Sequence, residues 1–270
     1  MIRVAVAGAG GRMGQALIAA TLADATLTLA AAIDVAGSAA VDHDAGLPQG
    51  RATGVIVGAD VDAALAAADV LIDFTRPDGT LLHLAACARR GTGAVVGTTG
   101  FTDAQRSAIA DVAQKIPVVL AANMSVGVNV LLKLVETAAQ SLGDGYDIEI
   151  VEMHHRHKVD APSGTALSLG AAAAAGTGRK LKECAVFARE GVTGERKPGS
   201  IGFASLRGGD VVGDNTVIFA TAGERIELAH KASSRHNFAA GALRAAHFVA
   251  ARRAAGAAGL SDMQDVLGLR

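Results

Sequence analysis

From residue 2 to residue 121 short apolar runs alternate strictly with helical patterns, and that alternation leaves few architectures open to the chain. Arg3 to Ala7 reads as a strand, Met13 to Ala23 as a helix, and Thr28 to Ile33 as a second strand. The Gly-rich stretch from Val35 to Gly58 carries no clear element. Val61 to Ala68 has a helical pattern and leads into the apolar run Val70 to Phe74. Thr75 and Pro77 then mark the start of a helix that continues to Arg90 before Gly91. Ala94 to Gly97 and Val118 to Ala121 complete the strands. Between them Thr102 and Gln105 form a capping box for a helix ending near Lys115. Strands linked by helices pair in parallel, because a parallel connection must cross over a face of the sheet. The expectation is an α/β fold with a doubly wound sheet.

After about Ser125 the pattern changes. Val126 to Leu142 reads as a long amphipathic helix, and Asp147 to Met153 alternates as a strand. Ser163-Gly164-Thr165 opens an Ala-rich helix. Three short strand candidates follow between Ile201 and Leu228, separated by turns at Gly208-Gly209-Asp210, Gly213-Asp214-Asn215 and Ala222-Gly223-Glu224. Strands joined by tight turns imply antiparallel pairing. Phe238 to Arg253 is helical again. The chain thus reads as a nucleotide-binding half followed by a second α+β half.

Composition narrows the classes further. Half of the 270 residues are hydrophobic and the formal net charge is -1, which excludes a disordered chain. There is no basic excess to neutralise phosphates, and with no Trp and one Tyr little material for stacking bases, so nucleic acid is not an expected partner. Cys87 and Cys184 are far apart and form no C-x-x-C pair, which reads as a reducing compartment. The first residues lack a basic region followed by a long apolar stretch. The uncharged stretches near 116–132 and 161–178 are interrupted by Pro, Asn, Ser, Gly and Thr. The expectation is a soluble cytoplasmic protein with no membrane partner.

Gly8-Ala9-Gly10-Gly11-Arg12-Met13-Gly14 joins the first strand to the first helix, the context of a Rossmann-type dinucleotide fingerprint. A pyrophosphate approaches backbone only where no Cβ intrudes, and the free N–H groups of the helix start then meet its charge. The spacing is G-x-x-G-x-x-G, since Met13 stands at the last glycine of the stricter G-x-G-x-x-G, and a tight structural turn is the plain alternative. Asp34 ends the second strand, where a carboxylate accepts the adenosine ribose hydroxyls. The next residue, Val35, offers no cation to a 2′-phosphate. At an effective dielectric near 20, a carboxylate about 4 Å from one phosphate charge costs roughly 4 kcal/mol uncompensated. NADH is therefore expected to be preferred, with Arg12 as compensation that still admits NADPH. Gly97-Thr98-Thr99-Gly100 closes another strand at its carboxyl end; its exposed N–H groups suit a nicotinamide carboxamide, while on composition alone it reads as an ordinary turn.

The most informative stretch runs Glu152-Met153-His154-His155-Arg156-His157-Lys158-Val159-Asp160-Ala161-Pro162-Ser163-Gly164-Thr165. Five basic or potentially basic side chains stand together in a charge-poor chain. His155 and His157 would share a face of an extended strand, but Arg156 and Lys158 repel a dication, so no metal is expected. A solvated basic surface is the plain alternative. The functional reading is an anion-binding acid site, because clustered cations depress one another's pKa and make proton donors. The helix opened by Ser163 offers N–H groups to a carboxylate. Lys231 and Arg235 are candidates for additional positive charge.

These motifs together resemble the dihydrodipicolinate reductase family, over essentially the whole chain. The resemblance rests on Val-Ala-Gly-Ala-Gly-Gly-Arg-Met-Gly, Ile-Asp-Phe-Thr-Arg-Pro, Val-Gly-Thr-Thr-Gly-Phe, Ala-Asn-Met-Ser-Val-Gly-Val-Asn, His-His-Arg-His-Lys-Val-Asp-Ala-Pro-Ser-Gly-Thr-Ala and His-Lys-Ala-Ser-Ser-Arg. It implies that His154 is a proton donor/acceptor, that Lys158 is a second proton donor, and that His155, Gly164 and Thr165 bind substrate carboxylate. It further implies cofactor contacts at Gly8, Ala9, Gly10, Gly11, Arg12 and Met13, at Asp34, at Gly97, Thr98 and Thr99, and at Ala121, Ala122, Asn123 and Met124. Two departures stand out: Met124 where family members often have Phe, and Val35 where some have Arg.

The resemblance also implies a mixed-sheet second domain, a homotetramer, and a C-terminal helix returning to the first domain. The expected boundaries are then 1–125 with 236–270 for the dinucleotide domain and 126–235 for the substrate domain. The implied reaction is hydride transfer from NAD(P)H to a cyclic imine dicarboxylate in lysine and diaminopimelate biosynthesis. A dehydrogenase of another small carboxylate would keep the first domain and reassign the basic cluster. A dinucleotide sensor would leave the histidine-lysine cluster without a task.

Overall fold

Ile2–Ala7 forms β1, whose alternating side chains serve two apolar layers: Val4 and Val6 pack into one, Ala5 and Ala7 into the other. A strand buried on both faces reads as a continuous apolar run, and Val70–Asp73 (β4) and Gly93–Val96 (β5) repeat the pattern. The computed structural model describes residues 1–234 and 236–270. In chain order the first half also contains α1 (Arg12–Ala23), β2 (Leu27–Ile33), β3 (Val57–Gly58), α2 (Val61–Ala66), α3 (Pro77–Arg90), α4 (Asp103–Ala113) and β6 (Pro117–Leu120). The Gly-rich stretch contributes β3 and a single 3-10 turn at Leu47–Gln49.

The second half runs α5 (Val126–Leu142), β7 (Asp147–His154), α6 (Gly164–Gly176), α7 (Leu181–Cys184), β8 (Ala185–Val186), β9 (Ile201–Arg207), β10 (Gly213–Thr221) and β11 (Glu224–Ala232). The chain ends with α8 (His236–Ala254), β12 (Gly259–Ser261) and α9 (Met263–Leu267). It divides into two compact units, Met1–Val126 with Arg235–Arg270, and Gly127–Ser234. Among the described residues no helix is long and apolar enough to cross a membrane.

In the first unit a seven-stranded sheet has the order β12-β6-β5-β4-β1-β2-β3. All its pairings are parallel. The order runs outward from β1 in both directions, so β1 and β4 flank the topological switch point, where ligands of such sheets bind beyond the carboxyl ends. Leu65, Leu84, Cys87 and Ile109 from α2, α3 and α4 cover one face. Leu17 and Ile18 of α1 cover the other together with Ala239, Ala242, Ala246 and Val249 of α8. The expected return of the C-terminal helix to this sheet is therefore observed. Its small residues permit close approach: a Cβ on Gly241 would lie 1.8 Å from the Met124 carbonyl oxygen, and one on Gly93 would lie 2.3 Å from Val249. The capping box at Thr102 and Gln105 is present. Thr75 does not cap α3, whose N-cap is Arg76; its hydroxyl bonds Asp73 instead.

In the second unit the sheet order is β11-β10-β7-β9-β8. Here two sequence expectations need correction. Gly213-Asp214-Asn215 is not a turn but the start of β10, where Asp214 and Asn215 pair with Met153 and Glu152. Nor do β9 and β10 form a hairpin: β7 lies between them, antiparallel to β10 and parallel to β9. The connection from β7 to β9 passes through α6 and α7, and a crossover of that kind is what parallel pairing requires. Only β10 and β11 form the expected antiparallel hairpin. One face of this sheet packs Ile148, Ile150, Phe203, Val217 and Phe219 against Leu131 and Val135 of α5 and Leu169 and Ala173 of α6.

Candidate active site

In the first unit the glycine turn and its acidic partner meet directly. The Gly10 N–H donates to Oδ2 of Asp34 at 2.8 Å, and the Val35 N–H donates to Oδ1 at 2.8 Å. Gly8 is left-handed, with φ of 72°. A Cβ on Gly14 would lie 2.0 Å from the Gly8 carbonyl oxygen, so α1 reaches the end of β1 only because position 14 is bare. Ala9 is buried, Met13 is half-buried, and Gly11 and Arg12 are exposed at the helix start. The result is a cradle with uncovered N–H groups at a helix N-terminus, which fits a dinucleotide pyrophosphate.

Gly97, Thr98 and Thr99 follow β5, on the other side of β4 from this turn. The Gly97 N–H donates to the Asp73 carbonyl at 2.8 Å, and a Cβ on Gly97 would enter the Phe74 ring. The Thr98 hydroxyl is buried against that of Thr80, 2.9 Å away. Ala121, Ala122 and Asn123 follow β6, and Asn123 accepts the Ser125 N–H at 2.9 Å. Met124 is buried in the layer beneath α8. All the sequence-derived cofactor candidates thus lie at or just beyond the carboxyl ends of parallel strands.

Linked to Thr98 through the hydroxyls of Thr80 and Thr75 lies a buried group that the sequence reading missed. Asp73 accepts from the Thr75 N–H and hydroxyl through Oδ1, and its Oδ2 lies 2.8 Å from Nδ1 of His83. Burial works to raise the Asp73 pKa, but the hydrogen bonds from His83 and Thr75 outweigh it and hold the carboxyl below the usual range. Burial, with the Asp73 charge nearby, pushes the Cys87 thiol up to about 12, so that thiol is inert.

A carboxylate whose folded pKa is depressed contributes stability above its unfolded value, near 3.9, and loses it as pH falls through the folded value. Asp73→Asn is therefore expected to lower the urea midpoint at pH 7, by an amount that shrinks as pH falls below about 4. A difference from the parent that is equally large at pH 7 and pH 2.5 contradicts this.

In the second unit the alternation that buries Ile148 and Ile150 carries Glu152 and His154 onto the same face of β7. Glu152 is only 1% exposed. Its Oε2 lies 2.6 Å from Nδ1 of His154 and accepts Nη1 of Arg207 at 2.8 Å. Its Oε1 accepts Nη2 of Arg207 at 2.9 Å and the Ser163 N–H at 3.1 Å. Burial works to raise the Glu152 pKa, but hydrogen bonds from Arg207, Ser205 and His154 prevail and hold it low. Arg207 also donates to the Asp160 carbonyl at 2.6 Å.

Lys158 donates to both oxygens of Asp160, at 2.7 and 2.9 Å. That contact, set against partial desolvation, holds the Asp160 carboxyl below its usual range. The rings of His155 and His157 lie 6.2 Å apart. Ser163 caps α6 by accepting the Ala166 N–H, so Gly164 and Thr165 occupy its first turn. His154, Lys158 and the α6 start thus belong to one local assembly, organised by two carboxylates. Lys231 lies exposed on β11, opposite Asp214, and Arg235 falls outside the described residues. Among the described residues no cluster of His, Cys, Asp and Glu is arranged to hold a metal ion.

Glu152, Asp160 and Arg207 were not among the sequence candidates. The period of two along β7 was a usable signal for Glu152, since it shares a face with His154. Arg207 gave no such signal, because its pairing depends on β9 lying beside β7.

Comparison with known proteins places this geometry in context. Residues 2–124 match the family model described as dihydrodipicolinate reductase, N-terminus, and residues 127–267 the one described as dihydrodipicolinate reductase, C-terminus. The 4-hydroxy-tetrahydrodipicolinate reductase of Laribacter hongkongensis is 60% identical over 100% of this chain and 99% of its own. That of Cupriavidus pinatubonensis is 59% identical over 100% of both chains. A solved structure, the dipicolinate-bound dihydrodipicolinate reductase from Paenisporosarcina sp. TG-14, superposes with a TM-score of 0.76 at 25% identity, covering 98% of each chain. A probable dehydrogenase from Thermotoga maritima shares the fold, with a TM-score of 0.63 at 12% identity over 99% of this chain and 93% of its own. With both halves matched and full-length relatives this similar, the chain belongs to the dihydrodipicolinate reductase family.

Proposed function

We propose that this protein is a 4-hydroxy-tetrahydrodipicolinate reductase, reducing a cyclic imine dicarboxylate to tetrahydrodipicolinate with NAD(P)H, in lysine and diaminopimelate biosynthesis. The observation that carries this reading is the assembly of residues 152–165, in which His154, Lys158 and the first turn of a 13-residue helix are held by Glu152 and Asp160. Proton donors beside a helix N-terminus suit a carboxylate substrate that must gain a proton during reduction.

In this reading the first unit is the dinucleotide domain and the second the substrate domain. The Gly8–Met13 turn and the start of α1 bind the pyrophosphate, and Asp34 accepts a ribose hydroxyl in place of its present Gly10 and Val35 donors. Gly97, Thr98 and Thr99, with Ala121 to Met124, line the nicotinamide end. The bound cofactor supplies a hydride. His155 and the N–H groups of Gly164 and Thr165 hold a substrate carboxylate. Hydride arriving at ring C4 leaves an enamine-like anion, and His154 or Lys158 gives up the proton that quenches it.

The finer cofactor assignment is a preference for NADH. Val35, next to Asp34, is 74% exposed and uncharged, so at that position nothing offsets the repulsion between Asp34 and a 2′-phosphate. Arg12 is exposed at the helix start and keeps NADPH usable. A homotetramer in the cytoplasm belongs to the same reading and rests on the family resemblance.

The test is an assay of nicotinamide oxidation with the cyclic imine freshly generated by the preceding aldolase-type reaction. Saturable turnover is expected, with kcat/KM higher for NADH than for NADPH. Turnover confined to an aldehyde or another small carboxylate rejects the substrate, cofactor binding without any turnover rejects the enzyme, and a clear NADPH advantage rejects the cofactor preference.

A further inference from the structure

Glu152, 1% exposed, faces Nδ1 of His154 and accepts two hydrogen bonds from Arg207 and one each from Ser163 and Ser205. An ionised carboxylate only accepts hydrogen bonds, so the ring atom facing it has to carry the proton. That atom is Nδ1 of His154, 2.6 Å from Oε2. The other ring nitrogen, Nε2, points toward Gly213, where a Cβ would lie 3.0 Å away. The bare Cα at the start of β10 therefore leaves that nitrogen room. The bidentate Arg207 fork balances the Glu152 charge and fixes the plane of the carboxylate. The same carboxylate takes the Ser163 N–H at 3.1 Å, one residue before the α6 first turn.

We propose that Glu152 is the positioning residue of this site: it fixes His154 in the Nδ1–H form, leaving Nε2 as the proton-exchanging atom, and ties that imidazole to the helix start that receives the substrate carboxylate. The proposal rests on the reading of His154 as a proton donor. In the step itself the Nε2–H bond of the imidazolium breaks and its proton goes to the enamine-like anion left by hydride addition. The imidazole ends neutral, still bearing Nδ1–H, and Glu152 stays ionised throughout. Where a serine protease has a carboxylate orienting its histidine, exchange of that carboxylate for an amide keeps the geometry but favours the wrong tautomer, at a cost of about 10⁴ in kcat. The arrangement here is of the same kind, with the additional task of anchoring the helix.

The experiment combines kinetics with nitrogen NMR of histidine-labelled protein, the His154 signals being assigned by their loss in His154→Gln. In the parent the neutral His154 is expected as the Nδ1–H tautomer; a spectrum showing Nε2–H overturns the proposal without any Glu152 variant. Glu152→Gln is expected to reduce kcat about tenfold or more and to shift His154 toward Nε2–H, with NADH affinity retained.

Because one amide NH2 must then face Arg207, this variant is also expected to be less stable. The double variant Glu152→Leu/Arg207→Met removes both charges at similar volume, a kind of exchange that often restores stability. It is expected to melt cooperatively, to remain as slow as Glu152→Gln, and to show the Nε2–H form. Parental kcat or an unchanged tautomer in the double variant overturns the proposal. Retained turnover in His154→Gln instead rejects the assignment of His154 as donor, an outcome separate from the tautomer result.

Discussion

Lys158→Ala is expected to reduce kcat by about 10²–10⁴-fold, the range that a positioned general acid contributes, while leaving the NADH dissociation constant essentially unchanged. Lys158 follows β7 by four residues, and its backbone N–H donates to the His155 carbonyl at 3.1 Å, which curls the segment back. Its ammonium is gripped by both oxygens of Asp160, whose own carbonyl is held by Arg207. The amine is therefore placed by a chain of contacts leading back to buried Glu152. Under the proposed function, removing it takes away a proton source and a cation beside the start of α6, and leaves the Gly8–Met13 turn of the first unit unchanged. Stopped-flow NADH binding alongside steady-state turnover separates the two effects. An unaltered kcat contradicts the role given to Lys158, and a matching loss of NADH affinity assigns the residue to the cofactor instead.

Gly14→Ala is the second large effect, and it acts through backbone. The new methyl would sit 2.0 Å from the Gly8 oxygen, 2.8 Å from the Gly8 carbonyl carbon and 2.9 Å from the Ala9 Cα. None of these atoms belongs to a flexible side chain, so α1 has to move away from the end of β1. Overpacking of this kind costs about 1–3 kcal/mol. The same displacement draws the first N–H groups of α1 away from the pyrophosphate position proposed for this turn, and each 1.4 kcal/mol lost there is about tenfold in affinity. A lower melting temperature together with at least about tenfold weaker NADH binding is expected. Parental values for both quantities would show that α1 does not depend on a bare position 14.

What the sequence made legible was local. The G-x-x-G-x-x-G turn, the Thr102–Gln105 capping box and the helix opened at Ser163 each draw on residues a few positions apart, and all three appear as expected. The parallel sheet was legible for a related reason, since apolar runs alternating with helices admit few other solutions. The failures come where pairing is remote. Gly213-Asp214-Asn215 has turn composition, but its neighbours are Met153, Glu152 and Ala232, and that pairing prevails over local preference. β12 and α9 at the end of the chain gave too short a pattern to register. At the site, the histidine-lysine segment announced itself by charge density. The carboxylates that organise it did not, because Glu152 acquires its meaning from Arg207, 55 residues away in sequence. Asp73 is similar: its partner His83 is ten residues on, across the turn between β4 and α3.

Deuterium transfer reports where the hydride goes. With NADH doubly deuterated at the nicotinamide C4 and the freshly generated cyclic imine in ordinary water, the reduced ring is expected to carry one deuteron at its C4. Cofactor oxidised with its label appearing in solvent or in some other carboxylate, while the imine stays unreduced, would contradict it.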